Sequence, residues 1–132
     1  MTKVFTSGCF DPLHRGHIYY LKQARKLGDK LVVIVSSDEK IRSTKKHEPR
    51  KSEKERLRKV KSLKIADEVL LGGATGEYYL INRIKPDIIA LGYDQKIPEP
   101  LKNKVKKYKI ITLKPFQPDI FKSSKLAPSS SG

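Results

Sequence analysis

Residues 3–21 read KVFTSGCFDPLHRGHIYYL, in which a short apolar run passes through a glycine-containing loop into an amphipathic segment. The run at Lys3–Thr6 contains β-branched and aromatic residues, which predicts a strand. From about Gly16 to Leu27, apolar residues recur at the three- and four-residue spacing of one helix face. The stretch therefore predicts a strand, a loop and a helix, the first half of a β–α–β unit.

The same alternation continues along the chain. Four further strands are expected, at about 30–35, 67–72, 87–92 and 109–113. Helical patterns lie at about 52–63, where Ser52 and Glu55 form a capping box, and at 77–85 and 99–108. The polar stretch 42–51 is expected to be a loop. Such alternation predicts one α/β domain of Rossmann-like, doubly wound type, with five parallel strands in the order 3-2-1-4-5 and helices on both faces.

The composition bounds the class of protein and its partners. With 132 residues we expect one domain, residues 1–126, followed by a flexible tail at 127–132. The net charge of +15 indicates an anionic partner or, alternatively, a basic solvated exterior. The single cysteine, Cys9, excludes an internal disulfide. No apolar run is long enough to span a membrane and the first residues do not resemble a signal peptide, so a cytoplasmic location is expected.

Two histidines, His14 and His17, lie where the first strand gives way to the first helix. In doubly wound sheets, ligands bind beyond the carboxyl ends of the strands at the switch point, here between strands one and four. Those strands end in SGCFD (7–11) and LGYDQ (91–95), so the topology brings the two loops together. A helix starting near Gly16 offers N–H groups to an anion, and histidines three residues apart can both donate to phosphate.

Two other interpretations of these histidines stay open. Cys9, Asp11, His14 and His17 could ligate a metal, although their spacing matches no common zinc pattern. Alternatively, the two histidines are ordinary surface residues. Because two of the three histidines in the chain lie at one glycine-flanked helix start, the pattern favours the phosphate site.

The motif SGCFDPLHRGH resembles the signature (S/T)-G-x-F-D-x-x-H-x-G-H of the nucleotidyltransferase superfamily that contains cytidylyltransferases and several adenylyltransferases. Its fixed positions are filled by Ser7, Gly8, Phe10, Asp11, His14, Gly16 and His17. Downstream, Pro49, Glu53 and Arg56 are similar to a family segment with Pro and Glu-x-x-Arg, and KSSKL (122–126) is similar to a late Ser-Ser/Thr motif. The resemblance covers residues 3–126, nearly the whole chain.

The resemblance implies in-line transfer of a nucleotidyl group from a nucleoside triphosphate to a phosphorylated acceptor, with release of pyrophosphate. It implies catalytic roles for His14, His17 and Lys46, although Arg42, Lys45 or Arg50 could instead reach phosphate. The nucleotide-binding residues it implies are Gly8, Cys9, Phe10, Asp11, His14, Arg15, Gly16, His17, Asp94, Ser123 and Ser124. Mg²⁺ or another divalent cation is expected with the triphosphate, and Asp11 either binds it or fixes the loop as a turn residue.

The string LGYDQ (91–95) is most similar to archaeal FAD synthases, which implies ATP and FMN as substrates. Glycerol-3-phosphate cytidylyltransferases and heptose-phosphate adenylyltransferases resemble the same motifs with different residues after the glycine of this string, and they stay as alternatives. The basic stretch 42–64 also leaves open a nucleic-acid-binding module, although three glutamates interrupt it and no known nucleic-acid motif accompanies it. The resemblance further implies a homodimer, for which EYYLINRI (77–84) is the candidate patch.

Overall fold

The computed structural model describes residues 1–11, 13–73, 80–92 and 108–114. The strands are β1 (Lys3–Gly8), β2 (Lys30–Val35), β3 (Glu68–Leu71), β4 (Ile88–Leu91) and β5 (Lys109–Thr112). The helices are α1 (Arg15–Arg25), α2 (Asp38–Lys45), α3 (Glu53–Ser62) and α4 (Ile81–Ile84). Within these ranges, no helix is long and apolar enough to cross a membrane. The helical pattern expected at 99–108 lies outside them, apart from Tyr108.

The five strands form one parallel sheet in the order β3-β2-β1-β4-β5, which confirms the predicted topology. β1 pairs with β2 along its whole length, as far as Gly8 and Val35. Its pairing with β4 is shorter and stops at Phe5 and Ile89. The two central strands therefore part before they reach their carboxyl ends, at the point where the winding of the sheet changes direction.

Alternate residues of the strands build an apolar layer on each face of the sheet. Val4 of β1 shares one core cluster with Leu21 of α1 and Val60 of α3. Phe5, the next residue of β1, shares the other cluster with Ile81 of α4. Helices therefore pack on both faces, as the alternation of strands and helices predicted.

The helix α2 occupies part of the chain where we expected a loop. Residues 42–45 of the expected loop are its last turn. Ser37 caps the helix, because its hydroxyl accepts a hydrogen bond from the Lys40 amide at 3.1 Å. Periodicity could not predict α2, since Ile41 is its one buried residue. The available signal was a serine followed by two acidic residues, a common helix start.

The predicted helices at 52–63 and 77–85 both form, as α3 and α4, and the second has different bounds. Half of the capping box predicted from Ser52 and Glu55 is confirmed, because the Ser52 hydroxyl accepts a hydrogen bond from the Glu55 amide at 3.2 Å at the start of α3. The return bond from the Glu55 carboxylate to the Ser52 amide is not found among the described residues. The Glu55 carboxylate lies 3.7 Å from the ammonium groups of both Lys51 and Lys59. In the stretch 77–85, the helix α4 begins later than predicted, and residues 77–79 lie outside the described ranges.

Asp67, just before β3, ties the start of β2 to α1. Its carboxylate accepts a hydrogen bond from the Leu31 amide at 2.8 Å and pairs with the Arg25 guanidinium. The bond from Leu31, and next the bond from Arg25, lower the pKa of Asp67 below its ordinary value. Because the folded pKa is the lower one, this contribution to stability is present above about pH 4 and is lost as the pH falls through the folded pKa.

We therefore expect the free energy of unfolding to fall as the pH drops below about 4, and Asp67→Asn to flatten that fall and lower stability at neutral pH. The asparagine keeps an acceptor oxygen for Leu31 but loses the charge that faces Arg25. Urea unfolding of both proteins over a pH series measures the difference. Parallel pH profiles with equal midpoints would contradict this role of Asp67.

Candidate active site

β1 and β4 separate before they reach their carboxyl ends. After Phe5 and Ile89 the two strands are no longer paired, whereas β4 stays paired with β5 as far as Leu91 and Thr112. In doubly wound sheets ligands bind at this switch point. Residues 9–17, which leave β1 here and enter α1, are called the histidine loop below.

The two histidines of this loop cap the helix that follows them. His14 is the N-cap of α1, and its Nδ1 accepts a hydrogen bond from the Gly16 amide at 3.0 Å. His17, three residues later, accepts a hydrogen bond on Nδ1 from the His14 amide at 3.2 Å. The imidazole rings stack with their centroids 3.8 Å apart. A reciprocal capping box is thus built from two histidines, where serine and glutamate are the usual pair.

This cap decides which nitrogen of each ring carries the proton. A nitrogen that accepts a hydrogen bond has no proton of its own, so each neutral imidazole is protonated on Nε2. The His14 ring is exposed and the His17 ring is half-buried. The Nε2–H groups of the two stacked rings can therefore act together as hydrogen-bond donors to one anion.

The start of α1 adds a favourable field for an anion. The first turn of the helix contains no acidic residue, whereas Lys22 and Arg25 lie in its last turn. The dipole of a helix favours negative charge at its N-terminus. The Gly16, His17 and Ile18 amides of this helix already donate to His14, so the expected supply of first-turn amides to an anion is not present here. Arg15, the first residue of α1, is exposed and adds a further positive charge there.

Phe10 connects the glycine of the motif to its second histidine. Its backbone is left-handed, with φ of 53°, which is uncommon for a residue with a side chain. The buried ring lies edge-on to the His17 ring with centroids 5.1 Å apart. It also covers Gly8, where an added Cβ would lie 2.8 Å from the Phe10 Cζ atom. The glycine is therefore needed so that Phe10 can support the imidazole of His17.

The Asp11 carboxylate binds backbone amides, which helps to decide whether this residue is a metal ligand or fixes the loop. Its Oδ2 accepts a hydrogen bond from the Arg50 amide at 2.7 Å, and its Oδ1 accepts one from the Lys51 amide at 2.8 Å. Both carboxylate oxygens are engaged, so the geometry favours a loop-fixing role over a metal ligand. Asp11 thereby fastens the segment before α3 to the histidine loop.

Arg56 is the buried centre that joins three loops. Its guanidinium is 1% exposed and donates to the carbonyl oxygens of Lys51 at 2.9 Å, Cys9 at 2.8 Å and Ser36 at 2.6 Å. It also forms an ion pair with the Asp38 carboxylate at 2.7 Å. The carboxyl ends of β1 and β2 and the start of α3 are thus held together by one side chain.

The sequence indicates Arg56 and Glu53 only as motif positions and does not single out Asp38 as a site residue. The Glu53 carboxylate accepts a hydrogen bond from the Asp38 amide at 2.8 Å, while the Asp38 carboxylate binds Arg56. The Glu-x-x-Arg spacing therefore places an acceptor and a donor on the same side of α3, where both meet the loop after β2. An acidic residue three positions after the end of β2 was the signal that could have indicated Asp38.

Four cations of the segment 42–50 were candidates for phosphate contact. Arg42 donates to the Glu48 carboxylate at 2.9 Å, and this hydrogen bond, with the charge of Glu48, raises the pKa of Arg42. Lys46 is the left-handed C-cap of α2, with φ of 58°. Of the four candidates, Arg42 therefore has a carboxylate partner on its own segment, whereas Lys45, Lys46 and Arg50 are exposed to solvent.

Of the remaining predicted site residues, Cys9 lies within the described part of the chain and three others do not. Cys9 is half-buried, and its carbonyl oxygen accepts the bond from Arg56. Asp94, Ser123 and Ser124 lie outside the described residues. Among the described side chains, no group of three or more His, Cys, Asp or Glu residues is arranged to hold a metal ion.

A sequence profile of the cytidylyltransferase-like family matches residues 5–131 of the chain. The chain belongs to the cytidylyltransferase-like family. This membership confirms the resemblance that the motif SGCFDPLHRGH carried. In this cytidylyltransferase-like protein, the fixed positions of the motif include the two histidines that cap α1, the Phe10 ring that supports His17 and the Asp11 carboxylate that binds the segment before α3.

Curated relatives of this cytidylyltransferase-like chain include several FAD synthases. The FAD synthase of Thermococcus onnurineus (strain NA1) is 44% identical over 110 residues, which cover 82% of this chain and 73% of that protein. The FAD synthase of Methanosarcina barkeri (strain Fusaro / DSM 804) is 50% identical over 96 residues, which cover 73% and 68%. Both similarities extend over most of each chain.

A solved structure of similar sequence has the same fold. The lipopolysaccharide core biosynthesis protein from Thermoplasma volcanium GSS1 is 40% identical to this cytidylyltransferase-like chain, with a TM-score of 0.80. The match covers 89% of this chain and 99% of that one. The predicted Rossmann-like fold is therefore confirmed by the described sheet and by this neighbour.

Proposed function

We propose that this protein is an adenylyltransferase that joins the AMP moiety of ATP to FMN, forming FAD and pyrophosphate. The two FAD synthases at 44% and 50% identity support this choice of substrates. The observation that carries the proposal is the stacked pair of His14 and His17 at the start of α1. Each ring has its Nδ1 bound to a backbone amide and its proton on Nε2.

In the proposed reaction, an oxygen of the FMN phosphate attacks the α-phosphorus of ATP. A new P–O bond forms there as the bond from the α-phosphorus to the bridging oxygen breaks, and the electron pair leaves with pyrophosphate. A phosphate nucleophile is already ionised at neutral pH and needs no strong base, so alignment and charge neutralisation carry the catalysis. The Nε2–H groups of His14 and His17 donate to oxygens that gain charge in the transition state.

The exposed cations beside the histidine loop neutralise the rest of the triphosphate in this mechanism. Lys46 is the proposed catalytic cation, with Lys45 and Arg50 as neighbours on the same segment. The hydrogen bonds of Asp11 to the Arg50 and Lys51 amides support this arrangement, because they hold the segment against the histidine loop. Asp94 is proposed to contact the nucleoside, and Ser123 and Ser124 the terminal phosphates.

We propose that Mg²⁺ enters with ATP as the Mg–ATP substrate. Phosphate oxygens and water would supply most of its ligands, as is usual for nucleotide-bound Mg²⁺. The bonds that both Asp11 oxygens make to backbone amides support a substrate-borne ion over one held by this carboxylate. The role of the ion is to offset the charge of the phosphates as pyrophosphate leaves.

A panel of nucleoside triphosphates and acceptors tests this function. Each triphosphate is incubated with Mg²⁺ and with FMN, glycerol 3-phosphate or a heptose phosphate, and pyrophosphate release is followed. ATP with FMN is expected to give the highest turnover. If CTP with glycerol 3-phosphate turns over and ATP with FMN does not, the choice of substrates is wrong and a cytidylyltransferase is indicated. If no pair releases pyrophosphate while an oligonucleotide binds in a salt-dependent manner, the nucleic-acid-binding alternative replaces it.

The protein is also proposed to form a homodimer. Leu80 and Ile81 of the candidate patch 77–84 are buried in the protein's own core and are poor contact residues. Leu70 of β3 and Ile110 of β5 are more accessible, with 36% and 39% exposed. Sedimentation equilibrium at micromolar concentration is expected to give twice the chain mass of 15.0 kDa. A single species of chain mass would contradict the dimer.

A further inference from the structure

The fork between β1 and β4 is filled by hydroxyl groups. Thr6, the first residue of β1 beyond the last pair with β4, is fully buried, and its hydroxyl donates to the Ala90 carbonyl oxygen at 2.9 Å. Tyr20 of α1 is half-buried, and its hydroxyl forms a hydrogen bond with that of Thr6. The Ala90 carbonyl oxygen, which lies beyond the last pair of β1 and β4, therefore accepts its hydrogen bond from a side chain.

Either hydroxyl can be the donor in the bond between Thr6 and Tyr20, since each carries one proton and can also accept. The Tyr20 oxygen also lies 3.3 Å from the carbonyl oxygen of Ser7 and 3.4 Å from that of Ala90. The hydroxyl of one helix residue thus touches both strands where they separate.

We infer that Tyr20 and Thr6 are positioning residues, which hold α1 at the sheet fork and so set the position of the His17 imidazole. Tyr20 follows His17 by three residues, close to one helical turn, so the two side chains lie on the same side of α1. The Tyr20 ring packs on the core cluster beneath α1, and its hydroxyl locates the helix along the fork.

The coupling to the site passes through short contacts. His17 is stacked on His14 and supported by Phe10, so a displacement of the first turns of α1 moves both imidazoles relative to β1. Displacements well below the size of an atom matter for groups that act on a transition state, and a misplacement of about 1 Å can cost about 100-fold in rate. This inference rests on the proposed nucleotidyl transfer for its kinetic readout only.

The test compares Tyr20→Phe and Thr6→Val, which remove one hydroxyl each and keep the shape, with Thr6→Ser, which keeps the hydroxyl. For Tyr20→Phe and Thr6→Val we expect kcat to fall about 10-fold, with a much smaller change in the KM for ATP, because misplaced donors weaken transition-state contacts. Thr6→Ser should restore most of kcat. The double variant should lose no more than the worse single variant, because both remove the same contact.

A second readout does not depend on turnover. The three histidines, His14, His17 and His47, are observed in ring-resolved NMR spectra of each variant. Shifted His14 and His17 signals in Tyr20→Phe and Thr6→Val, with His47 unchanged, are expected. Unchanged His14 and His17 signals would overturn the inference, as would a kcat equal to wild type in both variants. If the wild type itself has no turnover, the proposed function fails and the histidine spectra alone decide the positioning role.

Discussion

His17→Ala is expected to lower kcat for FAD formation by at least about 100-fold, because a lost transition-state donor typically costs 2.7–4 kcal/mol. The side chain supplies one of two stacked imidazoles whose Nδ1 atoms are bound to backbone. Steady-state kinetics with saturating Mg–ATP and FMN measures the loss. Circular dichroism checks that the fold is intact.

Both histidines also cap α1, and His14 needs the more careful substitution because it is the N-cap residue itself. Alanine would also remove the N-cap of α1, which costs about 1 kcal/mol of stability. His14→Asn keeps an oxygen for the Gly16 amide and removes the Nε2–H donor, so we expect a folded protein with the same loss of kcat as His17→Ala. His47→Ala is the matched control, since His47 is exposed and its Nδ1 lies 2.8 Å from the Glu48 carbonyl oxygen. Near-normal turnover in both site variants would remove the phosphate role of the histidine pair.

Arg56→Ala is expected to destabilise the protein by about 3–5 kcal/mol, the usual effect of breaking a buried ion pair. The substitution leaves the Asp38 carboxylate and the carbonyl oxygens of Cys9, Ser36 and Lys51 without their donor. Arg56→Lys should recover only part of the loss, because a single ammonium cannot reproduce the planar fork of donors. Urea unfolding curves measure both effects.

Arg58→Ala is the matched control for Arg56, because Arg58 lies two residues later on α3 and is exposed. Exposed substitutions usually change stability by less than about 0.5 kcal/mol. Equal urea midpoints for Arg56→Ala and Arg58→Ala would mean that the three loops are held together by other contacts. A normal midpoint with lost activity would instead indicate a direct role of Arg56 at the substrate.

The strand order of the sheet could be predicted because each strand and each long helix has a recognisable pattern within its own stretch of sequence. Each strand is a short apolar run, each long helix has a periodic face, and handedness then leaves few topologies. The helix α2 could not be predicted in this way, since a helix that buries Ile41 alone has no apolar stripe. The serine and acidic residues at its start are also common in turns, so they do not by themselves distinguish a helix from a loop.

The site was predictable in its location and less so in its contacts. The switch point and the glycine-flanked histidines indicated where an anion binds. The two interpretations of Asp11 could not be separated from the sequence, because its partners Arg50 and Lys51 lie about forty residues away. The left-handed Phe10 was equally hidden, since its strain is stabilised by packing on Gly8 and His17. Both kinds of contact, the long-range one of Asp11 and the local packing of Phe10, appear only in the folded chain.

The most direct test of adenylyl transfer follows the α-phosphate and the γ-phosphate of ATP separately. The wild-type protein is incubated with Mg²⁺, FMN and ATP that is radiolabelled at either the α- or the γ-phosphate, and the products are separated by chromatography. Adenylyl transfer predicts that the α-label appears in FAD and the γ-label in pyrophosphate, in equal amounts. A γ-label transferred to the flavin, or an α-label that never enters FAD, would contradict adenylyl transfer by the histidine loop.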